Sequence, residues 1–441
     1  MRELLLSYYG DDLTGSTDVM EALASRGVPT VLFVRLPTTA QIQKFPGVRA
    51  IGLAGSSRSE TPAWMEAHLA PALTWLKGLS AGFCHYKVCS TFDSSPTIGS
   101  IGRAIDIGGR LFDQVSVPLV VGAPQLKRYT AFGHLFAAHR GQVYRIDRHP
   151  VMAHHPVTPM GEADLRVHLG RQTSKSIGLI DALALEGDDV DDLVDAAISE
   201  GSGIVLFDVA DLAAQKAVGR QLVRLGSHRG LFVVGSSGVE YALLSEWERT
   251  RLVEGAAPFA PPGPVDRIAV VSGSCSATTA RQIRHAQAQG FHAFEIEPRL
   301  LASGDSAAVD RAVKRGLETL AEGRSVVLYT ALGPETDIGA RFESDGARHA
   351  IGAALGRIER ALIEQGGVRR AVIAGGDTSS HALMQLGIYA LSTRLPLPAT
   401  PGSPLCLAHS DDKAFDGLEI ALKGGQVGGD DYFERIRLGV S

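Results

Sequence analysis

Short apolar runs recur along the chain with longer amphipathic stretches between them: LLLSYY, TVLFV, IGLIDAL, GIVLFDV, LFVVGSS, RIAVVSGS, SVVLYTAL and RAVIAGG. Each leads into a polar or glycine-rich turn, and strands that alternate with helical patterns in this way are the signature of βαβ units and mainly parallel sheets. The segment Gly255 to Pro264, GAAPFAPPGP, breaks both periodicities, because proline has no amide to give to a helix or a central strand. The pattern therefore predicts an α/β protein of two domains, each built on a mainly parallel sheet flanked by helices, with an interdomain cleft. The expected boundaries are residues 1–258, a linker at 259–264, and residues 265–441.

A length of 441 residues exceeds one ordinary core and suits two. With 45% hydrophobic and 21% charged residues the chain has globular composition. Its formal charge of −5 offers no basic footprint for a nucleic acid or an acidic lipid surface. The four cysteines, Cys84, Cys89, Cys275 and Cys406, form no CxxC pair, and read as reduced thiols instead of a zinc or redox site. The opening MRELLLSYYGDD lacks the features of a signal peptide, and no uncharged apolar run reaches the ~20 residues that cross a bilayer. The cytoplasm is the expected address, with no membrane partner.

Four times a strand runs into small residues and then a helix: YYGDDLTGSTD, VVGSSGVE, VVSGSCSATT and VIAGGDTSSH. In open α/β sheets, ligands sit outside the carboxyl ends of strands, where the next helix presents free amides. Gly375 and Gly376 let backbone approach a ligand, and Asp377, Thr378 and Ser379 stand at the expected helix start. The turn Ser272 to Ser276 offers hydroxyls and amides for phosphate or ribose, with plain capping by Ser276 or Thr278 as the alternative. KGGQVGG, Lys423 to Gly429, can wrap a nucleotide or simply turn a corner. Neither GxxxxGK[ST] nor GxGxxG occurs, which weakens Walker ATPase and Rossmann dehydrogenase readings.

Asp11 and Asp12 follow the first strand. Adjacent residues there point in different directions, so one can serve as a base, metal ligand or substrate contact while the other orders the turn; both can also merely cap the helix. The segment His85 to Ile105 gathers Lys87, Cys89, Ser90, Thr91 and Asp93 after an apolar strand. That density of donors suits a polyhydroxy carboxylate. Cys89 reads as packing, since no histidine base is specified for it. Arg128, beside Lys127, can clasp a carboxylate or form a surface ion pair. The adjacent His154 and His155 lack the spacing of a helical metal pair, and no metal ligand set is assigned.

These motifs, in this order, resemble the four-carbon acid sugar kinase family over essentially the whole chain. GDDLTGSTD is similar to the family's ADDxTGA turn, and KVCSTFDSSPTIGSIG to the KYCSTFDST stretch of the 3-oxo-tetronate kinase branch. HPVTPM, SGSCS, AGGDTSS and LEIALKGGQVGG complete the series. Two departures are present. CSTFDSS lacks the arginine of the DSTLRG variant, so its anion-binding work falls elsewhere, and KGGQVGG replaces KSGNFG, leaving backbone contacts in place of Ser and Asn side chains.

The resemblance implies an N-terminal acid-sugar domain and a C-terminal ATP domain. Asp12, Lys87, Ser90, Thr91 and Arg128 would face the acid sugar, with Asp11 and Asp93 beside them; Ser272, Ser274, Gly375, Gly376, Asp377, Thr378 and Gly425 would line the nucleotide site. The implied activity is in-line transfer from Mg2+-bound ATP to a primary hydroxyl of a small 3-oxo acid, a 3-oxo-tetronate or, since YYGDD and SGSI depart from that branch, branched 3-oxo-isoapionate. Asp12 is the expected base. A non-catalytic acid-sugar binding protein or sensor is the alternative, and homo-oligomerisation is left open.

Overall fold

The computed structural model describes residues 3–155, 157–226, 230–334 and 345–441, the side chains of Asp345 and Asp377 excepted. Pro156 of the HPVTPM motif therefore lies outside the described residues. The chain forms two compact units, Met1–Val31 with Leu36–Ala256, and Leu32–Arg35 with Ala257–Ser441. The proline-rich stretch from Gly255 to Pro264 contains neither helix nor strand.

Strands of the first half are β1 (Leu6–Gly10), β2 (Thr30–Phe33), β3 (Ala50–Ala54), β4 (Phe83–Lys87), β5 (Val117–Val120), β6 (Arg128–Ala131), β7 (His134–His139), β8 (Gln142–Arg145), β9 (Ile177–Ile180), β10 (Ile204–Phe207) and β11 (Leu231–Gly235). In the first unit β3, β1, β4, β11, β5, β10 and β9 lie side by side, each parallel to its neighbours. β1, β4, β5, β10 and β11 are buried along their whole length. Helices on both faces of a parallel sheet demand this, and it explains why the strands read as continuous apolar runs without alternation. β6, β7 and β8 make a separate antiparallel sheet.

The second half carries β12 (Ala269–Ser272), β13 (His292–Glu295), β14 (Val326–Tyr329), β15 (Arg370–Ala374), β16 (Ile388–Leu395), β17 (Leu405–Ser410) and β18 (Glu419–Lys423). Here β13, β14, β12, β15 and β18 are parallel in that order, and β17 and β16 continue antiparallel. Leu32 and Phe33 also belong to this unit, paired antiparallel with Leu391 and Ala390. Ile268, Val270, Ile283, Val327, Val372 and Ala421 pack in its core. Mainly parallel strands flanked by helices in each unit are thus what the hydrophobic pattern led one to expect.

Candidate functional site

In the first unit the site grows from the carboxyl ends of three neighbouring strands. Gly10, Ala54 and Lys87 end β1, β3 and β4 at the same level, so the turns after them must share one region. Asp12 caps the helix Leu13–Ala24: its Oδ1 accepts from the Gly15 amide at 2.5 Å. Its Oδ2 accepts from Arg58 Nη1 at 3.0 Å. Arg58, in the turn after β3, also donates through Nη2 to both oxygens of Asp93, each at 2.8 Å. Asp93 takes further bonds from Thr91 Oγ1 at 2.5 Å and Thr158 Oγ1 at 3.2 Å. Burial alone would raise the Asp93 pKa, but the Arg58 guanidinium and these donors hold it down at about 2.

Asp11 differs from its neighbour. It is 5% exposed, and Oδ1 has no hydrogen-bond partner among the described residues. Burial, then the adjacent Asp12, push its pKa up to about 7 against the pull of Arg58 and Lys87. Lys87 is buried at the end of β4, donates to the Val88 carbonyl at 3.0 Å and lies 3.6 Å from an Asp18 oxygen. Burial works against its charge, yet Asp18 and Asp11 keep its pKa above the ordinary lysine value. A Cβ on Gly15 would stand 2.7 Å from Asp12 Oδ1 and 3.2 Å from Lys87 Nζ. A larger residue there would push on the Asp12 carboxylate and the Lys87 ammonium.

Ser90 is buried, and Thr91 Oγ1 lies 3.0 Å from Cys89 Sγ. The Cys89 thiol is within electrostatic reach of Arg58, Lys87 and Arg128. Arg128 opens β6 and gives Nη1 to the carbonyls of Leu126 and Lys127 at 3.0 and 3.2 Å. Its Nε is buried without an acceptor, and it has no carboxylate partner among the described residues. Burial lowers its pKa. Of the cations here, Arg58 is occupied by two carboxylates, whereas Arg128 pairs with none among the described residues.

In the second unit three turns meet. Ser272, Ala374 and Lys423 are in register across β12, β15 and β18, which brings SGSCS, AGGD and KGGQVGG side by side. Ser276 caps the helix Ala277–Ala288, accepting from the Thr279 amide at 3.0 Å; the expected capping role is real. The buried Ser272 and Ser274 hydroxyls accept from the amides of Ser274 and Ser276 at 3.4 and 3.3 Å. Gly375 has φ of 118°, a conformation open to glycine, and a Cβ there would stand 3.2 Å from the Ser274 amide. Gly376 is the first residue of the helix Gly376–Leu383, Thr378 is buried at its start, and the side chain of Asp377 lies outside the described residues. Gly425 comes so near SGSCS that a Cβ would lie 3.0 Å from Ser274 Oγ. Amides and hydroxyls gathered where Gly375 and Gly425 leave the backbone uncovered can hold phosphate oxygens.

Comparison with known proteins gives this geometry its lineage. Residues 6–243 match the profile of a sugar-binding N-terminal domain, and residues 269–433 that of a nucleotide-binding C-terminal domain. A 3-oxo-isoapionate kinase of Paraburkholderia graminis is 47% identical, over 99% of this chain and 94% of that protein. The chain belongs to the four-carbon acid sugar kinase family. A 3-oxo-tetronate kinase of Methylobacterium radiotolerans is 32% identical over 98% of both chains. A Salmonella typhimurium LT2 protein of known structure shares the fold, with 25% identity and a TM-score of 0.78 over 98% of both chains. The relatives named are kinases, which does not favour a non-catalytic binding protein.

In the first unit Asp12 and Asp93 are tied together, with Asp11 held through its carbonyl and Thr91 through Asp93, and the tie is Arg58, which sequence reasoning passed over. Its signal was present: AGSSRSE follows β3 as GDD follows β1, a strand end entering small residues. Among the described residues no group of three or more His, Cys, Asp or Glu stands ready to hold a metal ion, and no helix is long and apolar enough to cross a membrane. His155 instead accepts from Thr158, through Nδ1 and the Thr158 amide at 3.1 Å.

Proposed function

We infer that this chain transfers the γ-phosphoryl group of ATP to a primary hydroxyl of a branched 3-oxo sugar acid of the 3-oxo-isoapionate type. The observation that carries the reading is the 47% identity to a 3-oxo-isoapionate kinase along 99% of the chain, against 32% to a 3-oxo-tetronate kinase. Arg128, with no carboxylate of its own among the described residues, is the residue for the acid group of the substrate. Lys87 and Ser90 supply donors for its oxygens, Thr91 offers its hydroxyl oxygen, and Asp11 and Asp93 complete the wall on which they stand.

Asp12 acts as the base. It takes the proton of the attacking hydroxyl as the new P–O ester bond forms and the bond to ADP breaks. Arg58 and the Gly15 amide fix its carboxylate in place beforehand, and such positioning is most of what phosphoryl transfer asks of a protein. In the second unit, Ser272, Ser274, Gly375, Gly376, Asp377, Thr378 and Gly425 hold the nucleotide, whose phosphates suit a cradle that a Cβ would fill. Mg2+ brought in with ATP as part of the substrate would supply charge neutralisation at the phosphates. Carbon and phosphorus NMR of the product tests the reading: it expects a phosphate monoester on a primary carbon, and a secondary ester or an acyl phosphate would contradict it.

A further inference from the structure

The loop after β18 is held by its carbonyls. Lys423 Nζ, on a residue with no exposed surface, lies 2.8 Å from Gly424 O, 3.4 Å from Gly425 O, 3.3 Å from Val427 O and 3.0 Å from Thr279 Oγ1. Thr279 Oγ1 is itself 3.1 Å from Gly425 O, and the Ser276 hydroxyl donates to the same carbonyl. Gln282 Nε2 donates to Val427 O at 3.0 Å and to Gly429 O at 2.9 Å. Four carbonyls of the six residues from Gly424 to Gly429 are thereby turned into the unit. The amides of Gly425, Gln426 and Gly428 donate to no acceptor among the described residues.

No carboxylate reaches Lys423 among the described residues, and burial pushes its pKa down to about 7. An ammonium buried against carbonyls and one hydroxyl, with no countercharge, costs stability that a methionine in its place would not. Its worth must then lie in what it arranges. Backbone carbonyls and amides of a loop point opposite ways, so anchoring one set aims the other.

We propose that Lys423 is a positioning residue of the nucleotide site: by drawing the carbonyls of Gly424, Gly425 and Val427 inward it aims the amides of Gly425, Gln426 and Gly428 at the phosphates of ATP. The proposal rests on the nucleotide reading of the second unit. It also accounts for a loop of glycines that needs no polar side chain to touch phosphate.

Titration calorimetry with Mg-ATP on the full chain, with hydrogen exchange of residues 424–429, tests it. The unaltered chain binds ATP and its loop amides, fast to exchange alone, become protected. Lys423→Met weakens ATP binding by ~10-fold or more, loses that protection and raises KM for ATP, with KM for the acid unchanged; a merely structural lysine would lower the unfolding midpoint without this split. A folded Lys423→Met that binds ATP as tightly as the unaltered chain overturns the proposal. If that variant does not fold, Thr279→Val decides, with weaker ATP binding expected and unchanged binding and protection overturning it. Failure of the unaltered chain to bind ATP would instead overturn the nucleotide reading itself, and the proposal with it.

Discussion

Arg58 Nη2 lies 2.8 Å from each carboxylate oxygen of Asp93, while Nη1 of the same guanidinium lies 3.0 Å from Asp12. One cation thus joins the turn after β1 to the turn after β4. Because the Asp93 side chain has no exposed surface, removing Arg58 strands a buried carboxylate, and Arg58→Gln is expected to destabilise the protein by about 3–5 kcal/mol at pH 7. Asp93 is held at about 2, below its unfolded value, so the stabilisation is present above about pH 4 and lost as pH falls toward 2. Urea unfolding at several pH values checks this: the gap between the two proteins narrows between pH 4 and pH 2.

Asp12→Asn separates chemistry from architecture. Asparagine caps a helix as well as aspartate does, so the Gly15 contact survives and the unfolding midpoint stays near that of the unaltered protein. Turnover is expected to fall by ~10² to 10⁴. Initial-rate measurement of ADP release at saturating substrates gives the comparison, and near-normal turnover would remove Asp12 from the role of base.

Arg128→Gln probes the acid group of the substrate. A half-buried guanidinium that pairs with a carboxylate contributes several charge-assisted bonds. Its loss is expected to raise KM for the sugar acid by ~10²-fold and leave KM for ATP as it was. Steady-state kinetics with each substrate varied in turn reads the split, and Arg128→Lys recovers little, since lysine has no planar fork.

Asp11 supplies a pH signature of opposite sign. Its folded pKa is raised to about 7 by burial and by Asp12. The folded protein therefore binds more protons than the unfolded chain between about pH 4 and 7, and stability falls as pH rises through that window. Asp11→Asn removes the cost, so it is expected to unfold at higher temperature than the unaltered protein at pH 8, with the difference gone near pH 4. Calorimetric scans across that range measure it.

The sequence disclosed the parts whose chemistry is local. SGSCS, AGGD and KGGQVGG announce themselves because small residues after a buried strand leave backbone free, and β12, β15 and β18 do place them level. Arg58 and Lys423 were not legible for one shared reason. Each takes its meaning from partners far along the chain, Asp93 in one case and Thr279 in the other, and such pairings depend on strand order, which apolar runs do not encode. The same holds for Leu32 and Phe33, which pair with residues some 360 positions later. Asp12 illustrates the converse: its capping role and its place beside a second carboxylate could both be read from GDDLTGSTD, but the guanidinium that fixes it could not.

The measurement closest to the central claim is ADP release from Mg-ATP in the presence of 3-oxo-isoapionate, set against 3-oxo-tetronates and plain tetronates, with mass detection of the phosphorylated acid. The account predicts turnover that depends on the acid, is highest for the branched 3-oxo substrate, and yields one phosphate ester per ADP. ATP that binds but is not consumed with any of these acids would contradict it.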